Sequence, residues 1–440
     1  MHGTKGEGNY RGSQEEVMEQ ILLKNVEGTK LADIKNYTAV GGYESAKKAI
    51  TSMTIAQIID EVKKSGLRGR GGAGFPAGMK WDFVPKDFKG PRHLCCNADE
   101  GEPGTFKDRE LLEKNPHLLI EGMIIASYAI GAELSFIYIR GEFVKGANTL
   151  EAAIAQARKQ GFLGEKIFGT DKKVDIVVHR GAGAYICGEE TALIESIEGE
   201  RGNPRVRPPF PAVVGVFGKP TVVNNVETLA AVPSIIKNSG QWYAAIGVPP
   251  KNTGSKLYAV SGHVNKPGVY ELPMGTSLKD LIYNYAGGIK NNKQLKGVIP
   301  GGSSTPVLLP EEIGVSMDFD SLAKAGSMLG SAAVIVMDED VCTVEESLRL
   351  SEFYAHESCG QCTPCREGTV WMTKILDRIE HGQGVQGDVE LLERVSANIM
   401  GNTLCPLGDA AAMMMLGFLK KFKAEFAQHI QMGKCPINKK

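Results

Sequence analysis

Short apolar runs alternate with helix-period stretches along the first half of the chain. Residues 93–96, 136–139 and 174–179 have the length and apolar content of buried strands. Residues 118–132 and 147–160 repeat apolar positions at helical spacing, and 43–64 predicts one further helix stopped by Gly66. This alternation predicts an α/β class unit with a mostly parallel sheet covered by helices. Residues 1–40 predict a loosely ordered leader with one amphipathic stretch around 15–23. The composition shifts at 247–254, GVPPKNTG, a linker signal. Beyond it, 256–261, 268–272, 278–285 and 297–299 predict a small α+β unit, with a further strand at 334–337. From Val341 the pattern turns helical, over 344–355, 368–381, 388–400 and 409–428. The expected division is 1–76 (extension, helix and glycine-rich loop), 77–246 (α/β unit), 247–337 (α+β unit) and 338–440 (helical unit).

Charge and composition narrow the functions open to this chain. The net charge is −1, so no broad basic field points to nucleic acid or an anionic membrane surface. The longest apolar candidate, 118–139, is interrupted by Glu121 and Glu133 and predicts no membrane span. The first 20 residues lack the apolar core of a secretory signal. Glycine is abundant, 53 of 440 against a usual share of about 7%, which suggests backbone passing close to a ligand. The nine cysteines are odd in number and clustered, which argues for metal or redox chemistry in a reducing compartment rather than a disulfide framework.

Cys359, Cys362 and Cys365 form a C-x2-C-x2-C run, which lets one short loop wrap three corners of a cubane. The position four residues on is Thr369, so the fourth ligand must come from elsewhere, and Cys405, followed by Pro406, is the candidate. A zinc site more often uses two separated C-x2-C pairs and fits this spacing less well. Cys342 and Cys435 fall outside the pattern and read as buried or surface thiols without a metal.

Three other segments carry candidate chemistry, each with a plainer reading. Gly69, Gly71 and Gly74 satisfy G-x-G-x-x-G, but a helix precedes the loop and Phe75-Pro76 follows, so it is not the usual dinucleotide turn. It can cradle a phosphate or a flavin through backbone N–H groups, or be a turn-rich loop. Asp99, Glu100 and Glu102 follow a buried strand and could bond sugar hydroxyls or face a nicotinamide, or form a solvated acidic turn. Residues 180–191 place glycines, Glu189 and Glu190 at a helix mouth, where an anion or first-turn acids are equally at home. Asn224 and Asn225 could bond a heterocycle edge or cap a helix.

Taken together, the segments 66–81, 97–109, 184–193 and 220–228 and the cysteine set resemble, in order, the flavin- and NADH-binding subunit of respiratory complex I, the F-type (51 kDa-type) NADH dehydrogenase family. The resemblance runs from about Gly41 to Phe426. It implies a Rossmann-like FMN/NADH domain, a β-grasp soluble-ligand-binding domain and a helical bundle carrying one 4Fe-4S cluster. It implies FMN contacts at Gly69, Arg70, Gly71, Gly72, Gly74, Lys80, Asn97, Asp99, Glu100, Tyr185, Gly188, Glu189, Asn224, Asn225 and Thr228. Phe75, Phe83 and Phe210 match the adenine end of NADH, Arg207 lies near the nucleotide, and Glu102 and Glu190 match positions near nicotinamide and ribose. The cluster ligands are Cys359, Cys362, Cys365 and Cys405. Arg207 stands where some relatives have lysine, and Gly101 where serine is expected. An acid at the ribose would repel the 2′-phosphate of NADPH, so Glu190 predicts NADH preference.

The implied partners are a thioredoxin-like 2Fe-2S subunit and a large iron–sulfur subunit, with the chain peripheral on the cytoplasmic face of a bacterial inner membrane. The diaphorase subunit of an NAD-linked hydrogenase or formate dehydrogenase shares this module, and a non-catalytic electron relay is a further alternative. The lack of a second ferredoxin-type cysteine run, and of any cysteine before Cys95, favours the complex I form over the diaphorase.

Overall fold

The structure, a computed structural model, describes residues 19–437. Its first sheet is built from β1 (His93–Ala98), β2 (Leu134–Ile139), β3 (Asp175–Arg180) and β4 (Thr221–Asn225), in the order β3-β2-β1-β4, all parallel. Side chains alternate across this sheet. Leu94, Cys96, Ile137 and Ile139 enter one apolar core, while Cys95, Phe136, Tyr138 and Val223 enter another. Burial on both faces explains why these strands read as continuous apolar runs rather than alternating ones. The chain winds outward from β1 to β3 and then crosses back to place β4 on the other side of β1. The crevice at the carboxyl ends of β1 and β4 is therefore the topological switch point, where open α/β sheets bind ligands.

Three local features differ from the sequence-based expectation. The predicted helix over 43–64 is two helices, Glu44–Ser52 and Ile55–Lys64. Thr54 breaks it with a capping box, its Oγ1 accepting from Gln57 N (3.3 Å) while Gln57 Oε1 accepts from Thr54 N (2.8 Å). Residues 19–40 are docked rather than loose: Leu22 and Leu31 are buried, and the Glu271 carboxylate accepts from the N–H groups of Ile21, Leu22 and Leu23. The expected amphipathic stretch at 15–23 lies partly outside the described residues. Strand β4 was not expected because its last residues, Asn224 and Asn225, are polar.

The second unit contains the ribbon of β5 (Gly247–Val248) with β6 (Asn252–Thr253), and a mixed sheet of β7 (Ser255–Gly262), β8 (Gly268–Pro273), β9 (Leu295–Ile299) and β10 (Ala333–Asp338). Strand β7 is antiparallel to β8 and parallel to β10, which pairs antiparallel with β9. The third unit packs the helices Thr343–Glu357, Thr363–Glu380, Asp388–Ile399 and Pro406–Met432 around Met372, Leu376, Leu392, Met415 and Phe418. That core is continuous with the one on the second face of the first sheet. Among the described residues, no helix is long and apolar enough to cross a membrane.

Candidate flavin crevice and cysteine centre

The glycine loop closes on itself at the mouth of the switch-point crevice. Gly69 N donates to Phe75 O (2.8 Å), Ala77 N to Leu67 O (2.9 Å) and Arg68 Nε to Gly74 O (2.7 Å). Gly74 has φ +66°, and an added Cβ would lie 2.5 Å from the Phe319 ring. At Gly72 (φ +134°) nothing lies within 4 Å of such a Cβ, and at Gly71 it would reach within 3.1 Å of Asn225. The loop thus packs tightly on one side and opens on the other. Arg70 does not face the opening. Its buried guanidinium donates to the carbonyls of Thr253 (2.7 Å) and Ser255 (3.1 Å), and its backbone N–H donates to Thr228 Oγ1 (2.9 Å). What this loop offers a ligand is backbone.

The turn after β1 supplies carboxylates in three different states. Asn97 Nδ2 donates to Gly188 O (2.8 Å), joining the turn to the segment 184–188. Asp99 Oδ2 is buried without a hydrogen-bond partner among the described residues, and burial pushes its carboxyl up to about 7. Gly188 faces this oxygen, where a Cβ would sit 3.4 Å away. Glu100 is already occupied, accepting from Asp108 N (2.8 Å) and Arg109 N (3.1 Å) at the start of the Asp108–Lys114 helix. Burial, and then Asp108, raise it to about 7. Glu102 accepts from Ser304 N (3.0 Å) and so bridges to the loop after β9. At Gly101, where the resemblance predicts serine, a Cβ would stand 3.3 Å from Arg140 Nη1.

Across the crevice, Glu190 is bridged by Lys80 Nζ (2.7 Å) and Arg207 Nη1 (3.0 Å), and Glu189 lies 3.6 Å from Arg207 Nη2. Burial raises the Glu190 carboxyl, but the two cations outweigh it and hold the group below its ordinary range. Glu189 also caps the Glu190–Ile197 helix, accepting from Thr191 N (2.8 Å) and Ala192 N (3.0 Å), so the plainer reading of that acid describes it too. Phe75, Phe83 and Phe210 project into solvent, with the first two rings 5.9 Å apart. Asn224 accepts from Trp81 Nε1 (2.8 Å), and Asn225 both caps the Val226–Asn238 helix and donates to Asp108 Oδ2 (2.7 Å).

Beneath the crevice lies a buried ionic network that the sequence did not reveal. Lys107 Nζ meets Asp108 Oδ1 (2.7 Å) and Glu227 Oε2 (2.8 Å), and Lys256 Nζ meets the same Glu227 oxygen (2.6 Å). Burial raises Glu227, yet Lys107 and Lys256 hold it down to about 2. The members lie far apart in sequence, and only the proximity of Lys107 and Glu227 to the two motifs could have hinted at them.

The four predicted cysteine ligands come together where three helices meet. Cys359 lies in the turn between Thr343–Glu357 and Thr363–Glu380, Cys362 caps the second of these, Cys365 sits in its first turn, and Cys405 caps Pro406–Met432. Leu404 N donates to Cys362 Sγ (3.4 Å), tying the distant segment to the run. Burial pushes the Cys405 thiol up to about 12, with Cys359 and Cys365 adding like charge. Four thiols converging below two helix N-termini suit an anionic iron–sulfur cluster. The unpartnered Asp99 oxygen and the open side of the glycine loop suit a polyhydroxyl phosphate ligand such as FMN. The two places share a wall: Tyr185 N donates to Glu357 Oε2 (2.8 Å), and its ring packs on Phe353 at 5.1 Å, shortly before the cysteine run.

Comparison with known proteins matches this division. Residues 62–234 match the Nuo51 FMN-binding domain, 256–336 an SLBB domain, and 345–429 the NADH-ubiquinone oxidoreductase-F iron-sulfur binding region. The chain is 54% identical to the second NADH-quinone oxidoreductase F-type subunit of Rhizobium meliloti (strain 1021), over 96% of this chain and 100% of that one. It is 49% identical to the NADH-quinone oxidoreductase F-type subunit of Mycobacterium tuberculosis (strain ATCC 25618 / H37Rv), over 94% and 93%. Its fold also matches a chain of an air-oxidized NAD+-reducing [NiFe]-hydrogenase, with TM-score 0.80 and 37% identity, over 91% of this chain and 67% of that one. On near-full-length identity and on all three matched regions, this chain belongs to the family of F-type subunits of NADH-quinone oxidoreductase.

Proposed function

We infer that this chain oxidises NADH within a multi-subunit NADH-quinone oxidoreductase, with FMN in the strand-end crevice and one 4Fe-4S cluster on Cys359, Cys362, Cys365 and Cys405. The observation that carries this reading is the shared wall, in which the 184–188 turn borders the crevice on one side and the cysteine turn on the other. FMN, when bound, supplies the conversion of a two-electron hydride into single electrons that a cluster can accept. The chain's own residues bind, orient and shield. Backbone of the 69–74 loop and Gly188 allow close approach, while Asn97 and Asp99 present polar groups to hydroxyls. The exposed rings of Phe75, Phe83 and Phe210 offer stacking surfaces for the nucleotide. Hydride transfer needs no side-chain proton, so Glu102 and Glu190 serve as positioning groups. Glu102 does so from its bond to Ser304 and Glu190 from between Lys80 and Arg207.

The partners on this reading are a thioredoxin-like 2Fe-2S subunit and a large iron–sulfur subunit, with the chain peripheral on the cytoplasmic face of a bacterial inner membrane. The likeness to the NAD+-reducing hydrogenase supports a second reading, a diaphorase subunit. Identity favours the first: the chain is 54% identical to the Rhizobium relative and 37% identical to the hydrogenase chain. The test is anaerobic co-purification with native partners, followed by flavin and iron analysis and EPR before and after NADH. Bound FMN, an NADH-reducible 4Fe-4S signal and NADH-dependent ferricyanide reduction are expected. Protein without flavin and without ferricyanide reduction overturns the reading, and co-purifying hydrogenase or formate dehydrogenase subunits select the diaphorase.

A further inference from the structure

The two cysteines outside the cluster pattern do not stand apart. Cys342 caps the Thr343–Glu357 helix, Glu380 ends Thr363–Glu380, His429 lies in the last turn of Pro406–Met432, and Cys435 follows that helix. One ligand atom from each of the four lies within 4.8 Å of every other. Cys342 Sγ is 3.3 Å from His429 Nε2 and 3.5 Å from Glu380 Oε2, and those two atoms are 3.3 Å apart.

These three separations form one face of a small tetrahedron, with the Cys435 sulfur within 4.8 Å of each corner. Around a zinc ion with bonds of about 2.3 Å to sulfur and about 2.0–2.1 Å to nitrogen or oxygen, tetrahedral angles put neighbouring ligand atoms about 3.3–3.8 Å apart. The imidazole is set for ligation. His429 is fully buried, and its Nδ1 lies 2.8 Å from the Glu425 carbonyl, so Nδ1–H donates there and the Nε2 lone pair faces the other three groups. Cys342 Sγ also accepts from Glu345 N (3.4 Å), which fixes the direction of its side chain. Two of the four groups, Cys342 and His429, are buried, and Glu380 and Cys435 are half-buried beside them.

We propose that Cys342, Glu380, His429 and Cys435 form a closed, structural zinc site. Three helices run between it and the iron–sulfur cysteines. Cys342 begins the helix that ends before Cys359, Cys362 and Cys365 begin the helix that ends at Glu380, and Cys405 begins the helix that carries His429. Each end of the bundle is then pinned by a metal centre. The zinc fixes helices whose opposite ends hold the cluster ligands, and it ties residues 433–437 to the bundle.

The test is metal analysis of the complex, purified anaerobically without chelator, together with zinc-edge X-ray absorption. About one zinc per chain is expected beside the cluster iron, with two sulfur scatterers near about 2.3 Å and two lighter ones near about 2.0 Å. The variants C435S and H429N should lose that zinc while retaining iron and FMN. Iron-replete wild type with less than roughly a tenth of an equivalent of zinc overturns the proposal. Zinc retained in both variants, or a Cys342–Cys435 disulfide found by mass spectrometry, does so as well. If neither variant folds, the wild-type absorption spectrum decides alone.

Discussion

Asp99 carries the sharpest electrostatic consequence of any single residue. Its folded-state carboxyl sits at about 7 because burial disfavours the charge, whereas an unfolded aspartate ionises near its ordinary 3.8. Between those values the unfolded chain binds fewer protons than the folded one, so this group lowers stability as pH rises from about 4 to about 7. The full effect is on the order of 4 kcal/mol. Urea titrations of flavin-free protein should show D99N gaining stability relative to wild type as pH rises through that window. An unchanged slope in D99N would reassign the effect. Glu190 predicts specificity instead. Removing its charge leaves Lys80 and Arg207 free to attract a 2′-phosphate, so E190Q should raise the NADPH/NADH ratio of kcat/KM about tenfold, or about 1.4 kcal/mol. Steady-state rates with both nucleotides measure this, and an unaltered ratio would refute it. Residue types at these positions were readable from the sequence, but their states were not. Arg70 looked like a ligand cation and is bound to two carbonyls, because nothing local marks which way a guanidinium turns.

Turns decide what each element contributes. The glycine loop keeps its shape because Gly74 adopts a left-handed conformation beneath the Phe319 ring. The substitution G74A should therefore lower flavin occupancy severalfold while circular dichroism stays native, and F319A added to it should restore part of the loss. Flavin-to-protein absorbance ratios report both. Strands β1, β2 and β3 were visible as short apolar runs because the sheet is covered on both faces. Strand β4 escaped because polar Asn224 and Asn225 end it at the crevice, where function overrides strand composition. The broken helix at Thr54 was foreshadowed by T-x-x-Q, a capping signal outweighed by the apolar periodicity on either side. The Cys405–Pro406 pair was recognisable because a proline in the first helical turn starts a new helix at the cysteine. The quartet around Cys342 had no such signal, since its members are spread over nearly a hundred residues.

Viewed whole, the molecule joins its nucleotide crevice to its cluster through a few polar contacts and one continuous apolar core. Removing a cluster ligand should therefore separate loading from exit. C405S is expected to retain FMN but to lose the 4Fe-4S EPR signal and most quinone-linked turnover, assayed in the assembled complex. Loss of FMN together with iron would mean that the two sites depend on each other for folding. The division into α/β, α+β and helical units was readable from periodicity, the β-grasp character of the second came from the resemblance, and the three regions shared with known relatives follow the same order. The polar contacts between units were not, because they rest on single side chains. Glu271 on the neighbouring sheet grips Ile21 to Leu23, and Glu102 reaches Ser304.

The anchorage of Arg70 on the carbonyls of Thr253 and Ser255 bears on how the protein matures. Ribosomes deliver the chain from its N-terminus at about 5–20 residues per second. The loop at 69–74 thus emerges long before the backbone that holds its arginine in place. Flavin capture is then a late event, gated by synthesis beyond residue 255 rather than by completion of the first sheet. Stalled nascent chains with 240 residues outside the exit tunnel should retain no FMN, and those with 340 outside should retain it.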